Sequence, residues 1–311
     1  MIPVTIVTGA LGAGKTTFVN YVLTEEHGLK IGVIVNEYGE IGIDGDLIIA
    51  SKDKLIELPN GCICCTVRGD LIEAVRKLLA TKKIDYLLIE TSGLAEVVPA
   101  AMTFNAPEFV GKVELDSIIC VIDAENYAEN MKRNETAFEQ LQNSDIVLLN
   151  KVDIVKPEQV YKIKKEIKKH VPNAQIIETQ KCRAPLKLLL GVAKFDTGKQ
   201  VNWKRKEHEH AHNTGIESIS SVTGPVDSEK FEAFWQKLPE NIFRAKGIVC
   251  IKESQPGAKD ELRVAFHKVG KRWDMDFTRP WEKGEKKQTK VVFIGTKLNE
   301  KELEKGLGKC S

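Results

Sequence analysis

Gly9-Ala10-Leu11-Gly12-Ala13-Gly14-Lys15-Thr16 is the stretch on which the reading of this chain turns. It fits the pattern G-x-x-x-x-G-K-[ST] and lies between an apolar run, Val4–Thr8, and a helix-forming stretch, Thr16–Leu23. Glycines in such a turn let backbone N–H groups close around phosphate oxygens where side chains would block the approach. The Lys15 ammonium suits the β- and γ-phosphates, and the Thr16 hydroxyl is placed for Mg²⁺. Gly9, Gly12, Ala13, Gly14, Lys15, Thr16 and Thr17 are therefore the expected nucleotide cradle. Strand, phosphate loop and helix in this order predict an α/β P-loop NTPase.

Outward from the loop, short apolar runs alternate with helical patterns as far as residue 190, which predicts βαβ units and a mostly parallel sheet. Strands are expected at Val4–Thr8, Gly32–Asn36, Tyr86–Glu90, Ser117–Asp123, Ile146–Asn150 and Gln175–Ile177, with Leu55–Leu58 also strand-like. One helix carries Leu71, Ile72, Val75, Leu78 and Leu79 on a single face, and another carries Val160, Ile163, Ile167 and Val171. The lysines of the second helix read as a solvated face. Residues 191–215 are polar, with the basic run Lys204-Arg205-Lys206 and His208, His210 and His212, and read as a linker. From 216 to 311 the pattern predicts a smaller α+β domain: strands at Ile216–Val222, Gly247–Ile251, Leu262–Lys268, Arg272–Phe277 and Lys290–Ile294, helices at Ser228–Leu238 and from Asn299.

Three further segments carry chemistry. Asn150-Lys151-Val152-Asp153 follows an apolar strand, at the end where open α/β sheets bind ligands. A carboxylate there accepts from guanine N1–H and N2–H₂, a pair that adenine lacks, so Asn150, Lys151 and Asp153 predict GTP. Thr179 could support the base. Leu87-Leu88-Ile89-Glu90-Thr91-Ser92-Gly93 supplies a second acidic strand end: Glu90 for Mg²⁺ and catalysis, and Gly93 for a backbone N–H at the γ-phosphate. Asn36-Glu37-Tyr38-Gly39-Glu40 lies where a phosphate-sensing loop belongs, and Glu37 could hold Mg²⁺ through water, position the attacking water, or ligate another metal.

Cys62-Ile63-Cys64-Cys65 places three thiols within four positions. Adjacent cysteines form a strained disulfide, so metal binding is the reading, with thiol redox chemistry and inert packing as the alternatives. Soft thiolates suit Zn²⁺ or Cu⁺, with Co²⁺ and Ni²⁺ also admissible, and three local ligands leave a fourth position open. Cys120, Cys182, Cys250 and Cys310 are scattered and read as ordinary residues, as do His27, His170 and His267.

Composition sets the outer bounds. The chain has 311 residues, 42% hydrophobic and 29% charged, with 46 Lys+Arg against 44 Asp+Glu. That size predicts about two domains with real cores. The near-even charge argues against a dedicated nucleic-acid binder, and no apolar run is long enough for a membrane span. Met1–Leu11 lacks a charged leader region, and cysteine usage suits a reducing compartment, so the expected location is cytoplasmic.

Taken together, these segments resemble the CobW-like GTPases, which include the zinc-regulated GTPase metalloprotein activators. The resemblance rests on Gly9, Gly14, Lys15 and Thr16, the Asn36–Asp44 segment, Cys62, Cys64 and Cys65, Glu90 and Gly93, Asn150–Asp153, and Arg244-Ala245-Lys246-Gly247. It implies a slow GTPase, with catalytic roles for Lys15, Glu37 and Glu90, that binds a transition metal (zinc first, then cobalt or nickel) at the cysteine triplet. It further implies delivery of that metal to a client apo-metalloprotein, and a nucleotide- or metal-dependent homodimer. The alternative reading is a GTP-dependent regulatory switch with a structural or redox thiol site.

Overall fold

The computed structural model describes residues 1–36, 55–58, 66–81, 84–93, 95–133, 135–172, 174–190, 216–252, 261–269, 272–277, 280–282 and 284–311. The chain divides into two compact units, one from Met1 to Ala193 and one that runs to Ser311.

The first unit is built on seven strands: β1 (Ile2–Thr8), β2 (Ile31–Asn36), β3 (Leu55–Leu58), β4 (Tyr86–Glu90), β5 (Val113–Asp123), β6 (Ile146–Asn150) and β7 (Gln175–Thr179). They lie in the order β3-β2-β4-β1-β5-β6-β7, and every neighbouring pair is parallel. All strand carboxyl ends therefore share one edge. The central strands are buried on both faces, as a parallel sheet between helical layers requires, and their sequences are correspondingly rich in apolar residues. Helix α1 (Lys15–Thr24) follows the phosphate loop; α2 (Thr66–Thr81) packs Leu71, Val75 and Leu78 with Ile6, Ile34, Leu87 and Ile89. Beyond α3 (Val97–Met102), α4 (Tyr127–Arg133), α5 (Glu135–Gln142) and α6 (Pro157–His170) belong to a second core in which Leu141, Val160, Ile163 and Ile167 meet Cys120, Ile122, Val147 and Leu149. A short helix, α7 (Leu186–Leu189), closes the unit.

Strand β5 starts at Val113, four residues before the expected start, because Asp116 hides it. The β1–β5 register shifts between Val4 and Thr5, so Leu115 and Ser117 pair and Asp116 is extra. Asp116 is fully buried and accepts from the Tyr86 hydroxyl, which shares a hydrogen bond of 2.6 Å with Thr5 Oγ1; Thr5 in turn meets Ser117 Oγ at 2.9 Å. This polar knot sits toward the amino-terminal end of the sheet, away from the phosphate loop.

The second unit is a five-stranded antiparallel sheet in the order β11-β10-β9-β12-β8, with β8 (Ile216–Thr223), β9 (Ile242–Ile251), β10 (Leu262–Val269), β11 (Arg272–Phe277) and β12 (Thr289–Thr296). Helices α8 (Ser228–Gln236) and α9 (Glu300–Gly308) cover one face, where Phe231, Trp235, Leu303 and Leu307 pack on Ala245, Val249, Phe266 and Phe293. Asp227 caps α8 through the Lys230 N–H, and Asn299 caps α9 through the Glu302 N–H. Strand β9 begins at Ile242, five residues before the expected start at Gly247, because Arg244 lies buried within it and breaks the apolar pattern. Among the described residues no helix is long and apolar enough to cross a membrane.

Gly247 lies where β9 and β12 press together: a Cβ there would stand 2.0 Å from the Lys290 carbonyl oxygen. Gly247→Ala should destabilise this unit by about 3 kcal/mol, the range for backbone overpacking. Gly224→Ala, where a Cβ meets nothing within 4 Å, should be close to neutral, and thermal melts of the two variants check the contrast.

Candidate functional site

The carboxyl edge of the parallel sheet gathers the groups read from the sequence. The phosphate loop leaves β1, and Gly14, with φ 114°, turns the chain into α1. A Cβ on Gly14 would stand 2.6 Å from Asn150 Nδ2 and 2.9 Å from Cys182 Sγ, so the residue is held to glycine by both backbone and packing. The Lys15 ammonium curls back over the loop and donates to Gly9 O (3.0 Å) and Ala10 O (3.2 Å). Ala13 is buried and Thr17 exposed on the first turn of α1.

Glu90 ends β4, buried between Val7 of β1 and Val35 of β2 in the sheet register. Its Oε1 accepts from Thr16 Oγ1 at 3.0 Å. A hydroxyl and a carboxylate brought together at a strand end form an oxygen pair suited to a hard cation such as Mg²⁺. Gly93 lies against the phosphate loop, where a Cβ would stand 2.6 Å from Leu11 N. Contact this close admits no larger residue.

On the other flank, Asn150 bonds to two loops. Its Nδ2 donates to Ala13 O (2.9 Å), while Oδ1 accepts from Cys182 N (2.9 Å) and Thr179 Oγ1 (3.3 Å). The side chain ties the phosphate loop to the loop after β7 and is engaged by protein on both ends. Thr179 is the last residue of β7 and bonds to Asn150, so its role here is to hold that side chain. Lys151 takes a left-handed conformation (φ 63°) and pairs with Asp123 at 2.7 Å. Burial pushes Asp123 upward, but bonds from Lys151, Asn126 and the Glu125 N–H outweigh it and hold the carboxyl below its ordinary value. Asp153 stands exposed in the turn Val152–Ile154.

Several residues at this edge escaped the sequence reading. Cys182 is no ordinary cysteine: its thiol donates to Gly14 O at 3.2 Å, and burial pushes it up to about 12, so it stays protonated and structural. Lys181 and Cys182 both have positive φ (51° and 56°), and Tyr21 of α1 donates to Ala184 O (2.8 Å), fixing the same loop. No sequence signal marked these. Asp123 did carry one, an acid directly after an apolar strand, the signal that identified Glu90.

Glu37, Cys62, Cys64, Cys65 and the linker histidines lie outside the described residues. Among the described residues no group of three or more His, Cys, Asp or Glu side chains could hold a metal ion.

Residues 3–178 match the nucleotide-binding domain of CobW/HypB/UreG, and residues 217–311 match the cobalamin synthesis protein cobW C-terminal domain. The chain is similar to the zinc chaperone CobW of Pseudomonas aeruginosa, at 32% identity over 96% of this chain and 88% of that protein. It is similar to the zinc chaperone YjiA of Escherichia coli, at 32% identity over 97% of this chain and 96% of that one. The zinc-regulated GTPase metalloprotein activator 1 of Dictyostelium discoideum is 34% identical over 80% of this chain and 63% of its own length.

The bonds of Asn150 generate a test that separates scaffold from ligand contact. Asn150→Leu leaves a buried carbonyl, amide and hydroxyl without that partner, and should lower the stability of the nucleotide-free protein by about 3 kcal/mol in urea unfolding. A residue that met only the nucleotide would leave that stability unchanged.

Proposed function

The chain belongs to the CobW/HypB/UreG family of GTPases, and from that premise we propose that it is a metallochaperone whose hold on a transition metal follows the state of its bound guanine nucleotide. Zinc is the first choice of cargo, in keeping with the zinc chaperones and zinc-regulated activator to which the chain is similar. The proposed cargo ligands are Cys62, Cys64 and Cys65, with Glu37 as a candidate fourth, and the recipient is a client apo-metalloprotein.

One observation carries this reading. Strand β3 ends at Leu58 directly beside Asn36, the last residue of β2, and Val35 lies beside Glu90. The segments bearing Glu37 and the cysteines thus both leave the sheet at the edge that holds the phosphate loop. Cys62 follows Leu58 by four residues, a length that reaches at most about 14 Å. Cargo thiolates and phosphate-sensing groups are therefore tethered to neighbouring strand ends.

In the proposed mechanism, the phosphate-loop amides and Lys15 hold the β- and γ-phosphates; Lys15 exchanges its bonds to Gly9 O and Ala10 O for phosphate oxygens. Thr16 and Glu90 hold Mg²⁺, which when bound neutralises phosphate charge. Asp153 accepts from guanine N1–H and N2–H₂, steadied by its neighbours in the Asn150–Lys151 turn. Glu37 orients the attacking water or completes the cargo site. The terminal phosphate draws the Glu37 segment inward toward the Gly93 backbone, which gathers the thiolates; hydrolysis releases them and the cargo with them. Linkage makes this reciprocal, so a metal held more tightly with GTP must tighten GTP by the same factor.

Titration of the purified chain with Zn²⁺, Co²⁺ and Ni²⁺, once with a non-hydrolysable GTP analogue and once with GDP, tests the coupling. Affinities are expected to differ at least about fivefold between nucleotides, the lower end of ordinary coupling. The Cys64→Ala, Cys65→Ala double variant should lose the tight site, while equal affinity in both nucleotide states would leave only an uncoupled GTPase. Asp153→Ala should weaken GTP by roughly 10²-fold through two lost charge-assisted bonds, with weak ATP binding unchanged, as nucleotide titration would register.

A further inference from the structure

Between β4 and α3, residues 91–93 and 95–96 are described, and the chain passes against the phosphate loop at Gly93. This connection is anchored to β1 by the bond from Thr91 N to Val7 O (2.9 Å). The backbone at Gly93, Ala95 and Val97 is held from one side by two consecutive residues of α5. Gln140, completely buried, donates through Nε2 to Ala95 O at 2.9 Å and to Gly93 O at 3.4 Å. Glu139 Oε2 accepts from Val97 N at 3.3 Å, the first amide of α3, whose own N-cap residue Glu96 makes no side-chain cap.

The chemistry of Gln140 says what it is for. Its Oε1 is buried and meets no hydrogen-bond partner among the described residues. Leucine, of similar volume, would fill the same space without an unmatched acceptor. What the amide offers over leucine is its N–H₂ group, and both of its bonds end on the loop that touches Leu11 of the phosphate loop.

We propose that Glu139 and Gln140 are positioning residues that fix the Gly93 backbone for the terminal phosphate of a triphosphate, so that they favour GTP over GDP. The inference rests on the nucleotide reading above and adds residues that no motif marks. A diphosphate ends short of the loop and gains nothing from its order. A triphosphate meets a loop already in place and is spared the entropy of arranging it.

The test uses the full chain and measures dissociation constants for a fluorescent non-hydrolysable GTP analogue and for fluorescent GDP, alongside a thermal melt. Gln140→Leu should weaken the GTP analogue about five- to tenfold, as expected for two buried bonds, with GDP within about twofold of wild type. Glu139→Leu, at a less buried position, should act in the same direction. Glu139→Gln keeps an oxygen to accept from Val97 N and should restore the wild-type ratio. Equal weakening of both nucleotides, or an unchanged ratio in Gln140→Leu and Glu139→Leu, overturns the proposal. If wild type binds neither nucleotide, the nucleotide reading fails and the inference with it; wild-type binding with an unchanged ratio overturns the positioning role alone.

Discussion

Seven strands that all run the same way must end along one edge, and that constraint governs the first unit. A parallel sheet cannot be made with tight hairpins, so each strand is followed by a crossover, and every crossover departs from the same side. The phosphate loop after β1, Glu90 after β4, Asp123 after β5, Asn150 after β6 and the Cys182 loop after β7 are neighbours for this reason. Their contacts are short because the strand spacing is fixed. Lys151 reaches Asp123 across one strand interval, and Thr16 meets Glu90 across another.

Within that edge, the two flanks are made differently. On the base side, Asn150, Cys182, Thr179 and Tyr21 lock loops to one another through buried bonds, which suits recognition of a rigid purine. On the phosphate side, Lys15 rests on carbonyls it can exchange, and the backbone at Gly93, Ala95 and Val97 is held by two side chains from one helix. In the proposed function the first flank would select the base, and the second would meet the terminal phosphoryl group. The C-terminal unit is organised on other terms, with an antiparallel sheet covered on one face by α8 and α9 and an aromatic core of Phe231, Trp235 and Phe266.

Much of this was legible because parallel strands buried on both faces read as runs rich in apolar residues, and because a glycine-rich turn before a helix has few other uses. The faces of α2 and α6 were equally plain, with Leu71, Val75 and Leu78 and then Val160, Ile163 and Ile167 spaced at helical intervals and buried as expected. The pattern failed where a charge was hidden inside a strand. Asp116 is stabilised by the Tyr86 hydroxyl and Arg244 lies within reach of His267 Nε2 at 3.4 Å, partners far away in sequence that no local window reveals. Cys182 and Gln140 were illegible for a related reason. Each acts through hydrogen bonds to backbone carbonyls contributed by other segments, and a carbonyl leaves no trace in an amino-acid string. Asn150 was recognised by motif, but its bonds to Ala13 O and Cys182 N were not, since neighbours across the edge, not the tetrapeptide, decide where its amide points.

The knot of Thr5, Tyr86, Asp116 and Ser117 beneath the sheet bears on how such a protein can diversify. Its hydroxyls and carboxylate answer one another at the amino-terminal side of the strands, opposite the rim that carries the phosphate loop. Changes of cargo, recipient or turnover can therefore accumulate at the rim while the foundation stays untouched. A lineage built this way can try new tasks without first relearning how to stand.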